Sequence, residues 1–119
     1  MKVLLVDDSK TMRLIVKRVL EESGIPDVVE AANGREALSR LVNTRYDLII
    51  LDVHMPEMGG VELLGMIKES THEGTPVIMV TSDSECRTRI SKLGADICIT
   101  KPFTREKLAA AIASVCKIV

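Results

Sequence analysis

Short, continuously apolar runs alternate along this chain with segments in which apolar residues recur every three or four positions. Residues 3–6, 48–51 and 77–80 hold no polar side chain, as expected of strands covered on both faces. Residues 28–31 and 97–100 are weaker runs of the same kind, suited to an edge or a half-covered position. Between them lie helical patterns. Met12, Ile15, Val16, Val19 and Leu20 fall at i, i+3, i+4, i+7 and i+8, one face of a helix. Gly24 ends that helix and Pro26 prevents its resumption. Asn33 caps a second helix with an inner face of Ala37, Leu38, Leu41 and Val42. A third runs from about residue 61 to 70, with Leu64 and Ile67 inward. A fourth, over about 84–93, carries Glu85, Arg87, Arg89 and Lys92, so only Ile90 and Leu93 are strong anchors. A fifth begins near Thr104, its loose cap, and buries Leu108, Ile112, Val115 and Cys116.

The order is strand then helix, five times. Such alternation predicts a parallel sheet with right-handed crossovers and helices on both faces. Five strands in 119 residues suit a flavodoxin-like, doubly wound α/β fold with strand order 2-1-3-4-5. No linker, repeat or low-complexity segment interrupts it, so residues 1–119 are read as one domain.

Composition narrows the function. One Phe, one Tyr and no Trp mean an aliphatic core. A net charge of −1 argues against direct nucleic-acid binding, which usually needs a basic excess. No apolar run approaches the roughly 18 residues of a membrane span, and the apolar start is too short for a signal peptide. Cys86, Cys98 and Cys116 are odd in number and lack CxxC spacing, which suits thiols of a reducing cytoplasm. His54 and His72 stand apart from any cysteine pair, so a zinc site is not expected.

In an open parallel sheet, ligands bind outside the carboxyl ends of the strands. Asp7 and Asp8 follow the first run, Asp52 the third, Thr81 and Ser82 the fourth, and Lys101 and Pro102 the fifth. Each has an ordinary role available. Asp8 or Ser9 can cap a helix, Asp52 can be a turn residue, Thr81 suits a strand end, and Lys101 can be solvated. Their convergence is harder to explain without a ligand. Two carboxylates repel by about 4 kcal/mol at 4 Å and an effective dielectric of 20. A hard divalent cation, Mg²⁺ or Mn²⁺, would offset that repulsion. An Asp beside such a cation, a lysine and a hydroxyl has the parts for phosphoryl transfer.

With these residues in view, the sequence resembles the CheY-like receiver domains of bacterial two-component response regulators. The likeness rests on Val6-Asp7-Asp8-Ser9, the stretch from Leu51-Asp52-Val53 through His54-Met55-Pro56 to Gly59-Gly60, Val80-Thr81-Ser82 and Thr100-Lys101-Pro102-Phe103. It implies a signalling domain that catalyses only its own phosphorylation and dephosphorylation. Asp52 would accept a phosphoryl group from a sensor histidine kinase or a histidine phosphotransfer protein. Asp8 would ligate the metal directly and Asp7 mainly through water, with Asp52 and the backbone carbonyl of His54. Thr81 and Lys101 would contact the phosphoryl oxygens, Ser82 would leave room for them, and the Lys101–Pro102 peptide would be cis. Phosphorylation would shift the loop after strand four and helix four toward a downstream protein target. Cys98 departs from the pattern, because that position is often aromatic. Output is therefore expected from helix four, with Arg87, Arg89 and Lys92. Leu14, off the buried stripe and near Asp8, is a candidate donor contact.

Three other classes fit less well, one of them a non-phosphorylated interaction domain of the same fold, disfavoured because every reactive residue is present. A haloacid-dehalogenase-type phosphatase wants a second acid where His54 stands. A nucleotide- or flavin-binding module wants phosphate donors where Asp7 and Asp8 would repel one.

Overall fold

A computed structural model describes residues 1–82 and 92–116, and for Cys116 the backbone alone. Five strands alternate with helices: β1 (Lys2–Val6), α1 (Lys10–Glu22), β2 (Asp27–Ala31), α2 (Gly34–Asn43), β3 (Leu48–Asp52), α3 (Gly60–Lys68), β4 (Val77–Thr81), β5 (Ile97–Thr100) and a C-terminal helix (Arg105–Cys116). The strands form one parallel sheet in the order β2-β1-β3-β4-β5. The expected doubly wound α/β fold is therefore present. Most of the expected fourth helix lies outside the described residues.

The two-residue period of a strand divides the core in two. Val3, Leu5, Leu48, Ile50, Ile78, Val80 and Ile99 face α1 and the C-terminal helix. Leu4, Val6, Ile49, Leu51, Val77 and Met79 face α2 and α3. β1, β3 and β4 are covered on both faces, which is why their sequences lack alternation. β2 and β5, each at an edge, are half-buried.

Local chemistry sets the helix ends. Ser9 caps α1, accepting from the Met12 amide. Gly24 follows that helix at φ 83°, a left-handed conformation that glycine adopts without a Cβ clash. Asn33 caps α2 through the Glu36 amide, and the Glu36 carboxylate reaches back to the Ala32 amide and the Asn33 amide side chain. Thr104 caps the C-terminal helix through the Lys107 amide.

Three expected anchors prove to be surface residues. The buried arc of α1 is Val19, Val16 and Leu20, and Ile15 is 45% exposed. At about 100° per residue, Ile15 sits a full step from Val16, the centre of that arc. Val42 fails for the same reason: the arc of α2 centres on Leu41, one step away, and Val42 is 81% exposed. Leu93 is also exposed. In α3 the reverse occurs, since Leu63 joins Leu64 and Ile67 in the core. In the C-terminal helix Leu108 and Ile112 are buried, with Ala111, while Val115 is only half-buried. No helix among the described residues is long and apolar enough to cross a membrane.

Candidate functional site

Strand parity decides which polar residues meet. Asp7 extends the series Val3, Leu5; Asp52 extends Leu48, Ile50; Lys101 extends Ile97, Ile99. All three therefore continue the sheet face covered by α1 and the C-terminal helix. Register supplies the other coordinate. Val6 pairs with Leu51, so Asp7 and Asp52 leave neighbouring strands at one level. Thr81 pairs with Thr100, so Lys101 starts one residue above Thr81 and two strands from Asp52, roughly 10 Å at normal strand spacing. Only a long side chain spans that gap. Lys101 Nζ donates to Asp52 Oδ1 at 3.1 Å and lies 3.9 Å from Asp7 Oδ2. The backbone holds the lysine as well: its amide donates to the Thr81 carbonyl at 2.7 Å, and the Lys101–Pro102 peptide is cis.

Asp7 and Asp52 are buried, at 4% and 5% exposure, whereas Asp8 is exposed. Carboxylate oxygens of all three lie within 4.8 Å of one another. Because Ser9 supplies the cap of α1, Asp8 stands outside it. Asp52 is the last residue of β3, so it is not a turn residue. Asp7 Oδ1 accepts from the Ser9 amide at 2.8 Å. Burial pushes the Asp7 carboxyl above its ordinary value, and the charges of Asp52 and Asp8 push the same way. The Ser9 amide and Lys101 pull it down without cancelling that rise.

Three acids against one ammonium leave a deficit of positive charge. A small, hard dication fits both that deficit and the all-oxygen donor set. The donor chemistry therefore suits Mg²⁺ or Mn²⁺.

Thr81 is fully buried at the end of β4, and Ser82 beyond it is exposed. The His54 side chain is exposed, two residues past β3. Cys98 is half-buried in β5, paired with Met79, and packs against the α2–α3 side of the core.

Two residues shape the site in ways the sequence reading missed: Gly60, named there only as part of a motif, and Arg13. Gly60 opens α3 directly over Asp52: its amide donates to the Val53 carbonyl, and an added Cβ would stand 2.2 Å from the Asp52 carbonyl oxygen. The signal was the Gly59-Gly60 pair, since a helix can begin against a strand backbone only where no side chain intervenes. Arg13 donates from a terminal nitrogen to the Asp7 carbonyl at 2.6 Å and from Nε to Glu30 Oε1 at 3.0 Å. Its signal was position alone, one turn into α1, where side chains lean back toward the preceding loop.

Comparison with known proteins agrees with this arrangement. A family described as "Response regulator receiver domain" matches residues 3–113. A chemotaxis protein CheY homolog of Campylobacter jejuni is 43% identical over 113 residues, covering 91% of this chain and 86% of that one. The receiver domain of the Francisella response regulator 1452 superposes with a TM-score of 0.89 at 34% identity, over 98% and 96% of the two chains. The response regulator TrrA of Thermotoga maritima, solved in complex with Mg²⁺–BeF, gives a TM-score of 0.87 at 34% identity, over 97% and 99%.

Proposed function

The chain belongs to the receiver domain family of response regulators, phosphoacceptors of two-component signalling, and from that premise we propose that Asp52 is the residue phosphorylated. The observation that carries the assignment is the buried Asp52 carboxylate, held 3.1 Å from Lys101 and clustered with Asp7 and Asp8. Asp52 ends the third strand, beside the point where the strand order reverses, which is where ligands bind in open α/β sheets.

In the reaction, a carboxylate oxygen of Asp52 attacks the phosphorus of a phosphohistidine. The new O–P bond forms as the P–N bond breaks, and the imidazole leaves with the bonding pair. Hydrolysis later returns the carboxylate and inorganic phosphate. Lys101 exchanges part of its contact with Asp52 for a phosphoryl oxygen, and the Thr81 hydroxyl donates to another. Ser82 is small enough to leave room for the group. Asp7, Asp8, Asp52 and the His54 backbone carbonyl would hold the cation, which when bound neutralises charge on the phosphoryl oxygens. Mg²⁺ is the proposed ion, on the donor set and on the likeness to TrrA, with Mn²⁺ as substitute.

Receiver domains interact with histidine kinases, so the donor is a sensor histidine kinase or a histidine phosphotransfer protein. The protein is a signalling domain, its chemistry confined to its own phosphorylation and dephosphorylation. Residues 1–119 form one receiver domain in this reading, placed in the cytoplasm on its cysteine pattern. Output runs through the loop after β4 and residues 84–93 toward a protein target. Support for that route comes from Cys98, which is small and half-buried where the family often has an aromatic.

The test is labelling by acetyl phosphate or a phosphorylated kinase, with and without Mg²⁺. Wild type gains the mass of one phosphoryl group, lost on treatment with hydroxylamine, and Asp52→Ala gains none. Equal labelling of Asp52→Ala overturns the assignment.

A further inference from the structure

We propose that Arg13 is a positioning residue for the cation site, acting by holding the peptide that joins Asp7 to Asp8. This inference rests on the reading that those acids and Asp52 bind a divalent cation. The two acids are neighbours in sequence, yet one is buried and the other exposed. Their carboxylates converge only if the intervening peptide plane keeps one orientation. That plane contains the Asp7 carbonyl and the Asp8 amide, so fixing the carbonyl fixes ψ of Asp7 and φ of Asp8 together.

Arg13 fixes it. A terminal nitrogen donates to the Asp7 carbonyl at 2.6 Å, while Nε donates to Glu30 Oε1 at 3.0 Å. The Arg13 side chain is only 14% exposed. Glu30 lies on β2 beside the strand that delivers Asp7, and its other oxygen lies 3.5 Å from Lys17. The Asp7 amide donates to the Ala31 carbonyl, and Asp7 Oδ1 accepts from Ser9. Arg13 therefore closes the remaining rotation, bracing the loop against β2. A planar guanidinium can hold two acceptors in fixed directions at once, which an ammonium on a flexible stem cannot.

The experiment titrates the full chain with Mn²⁺ and counts free ion by electron paramagnetic resonance, with thermal melts in the absence of metal alongside. Arg13→Ala weakens Mn²⁺ binding about tenfold or more, the usual effect of losing a group that orients a ligand. Arg13→Lys keeps the charge and loses the fork, so its affinity stays close to that of Arg13→Ala. Glu30→Gln keeps an acceptor for Nε and stays near wild type. In acetyl phosphate labelling, Arg13→Lys raises the Mg²⁺ concentration for half-maximal rate and leaves the rate at saturating Mg²⁺ within about twofold, because a positioning group acts through uniform binding. Full rescue by Arg13→Lys overturns the proposal in favour of charge alone. Wild-type affinity in Arg13→Ala overturns it while leaving the cation site standing. Failure of wild type to bind Mn²⁺ removes the cation site itself, and this inference with it.

Discussion

Lys101 Nζ donates to Asp52 Oδ1 at 3.1 Å across 49 residues of sequence. Among the described residues, Lys101 is also the only cation the structure brings within 4.0 Å of the cluster's carboxylate oxygens. Removing it leaves the three carboxylates without a cation in direct contact, since Arg13 reaches only the Asp7 carbonyl. Lys101→Met is expected to destabilise the metal-free protein by about 1.5–3 kcal/mol, the worth of a hydrogen bond to a charged group. Urea unfolding with and without Mg²⁺ checks this. The loss should shrink when Mg²⁺ is present, and an unchanged midpoint without metal would count against a tight contact.

Asp7 makes a prediction about pH. Its carboxyl titrates above the ordinary value of 3.8, chiefly because burial disfavours the charged form. Between the unfolded and folded values the native state binds more protons than the unfolded chain, so this residue's contribution to stability falls as pH rises through that window. Metal-free Asp7→Asn should therefore melt higher than wild type at neutral pH, with the advantage narrowing as pH is lowered. Wild type should gain stability from Mg²⁺, about 2.7 kcal/mol at a hundredfold excess over Kd, and Asp7→Asn less. A higher melting temperature for wild type throughout would reverse the assigned direction.

Gly60 makes a steric one. A methyl at this position would stand 2.2 Å from the Asp52 carbonyl oxygen and 2.9 Å from Val53 Cα. Backbone cannot move aside as a side chain can, so Gly60→Ala should cost about 3 kcal/mol or more, the upper end of overpacking. Gly65, with open space around it, is the control: Gly65→Ala should be neutral or stabilising in the same melts. If the two variants behave alike, the packing of α3 on β3 is looser than described.

Leu14 concerns the donor. It is 68% exposed, and with Ile15, Arg18, Val19 and Arg105 it lines a shallow apolar groove between α1 and the C-terminal helix. Leu14→Glu should slow transfer from a phosphorylated kinase by about tenfold, a typical effect of losing one central contact. Labelling by acetyl phosphate should be unchanged. Parallel slowing with both donors would place the effect in the acidic cluster instead of at an interface.

Among the described residues, the sequence by itself determined the elements and their order. Strands buried on both faces need uninterrupted apolar runs, and α1 and α2 needed caps that Ser9 and Asn33 visibly offer. It also marked the polar residues that the structure brings to one edge of the sheet, since Asp7, Asp8, Asp52, Thr81 and Lys101 each follow an apolar run that ends there. Such signals are local, written within a few residues. Tertiary structure decided everything that depends on two distant segments at once. Whether Ile15 and Val42 are buried depends on how far each helix is rotated against the sheet, and apolar spacing leaves that rotation uncertain by about one residue step. That Asp7 is buried while Asp8 is exposed is set beyond the end of β1, where Asp7 continues the sheet face covered by α1 and Asp8 stands in the connecting loop outside the helix cap. Only the register of β4 on β5 puts Lys101 within reach of Asp52. The placing of Gly60 over the Asp52 carbonyl, and of Arg13 between Asp7 and Glu30, are contacts across packed elements, for which no repeating pattern along the chain exists.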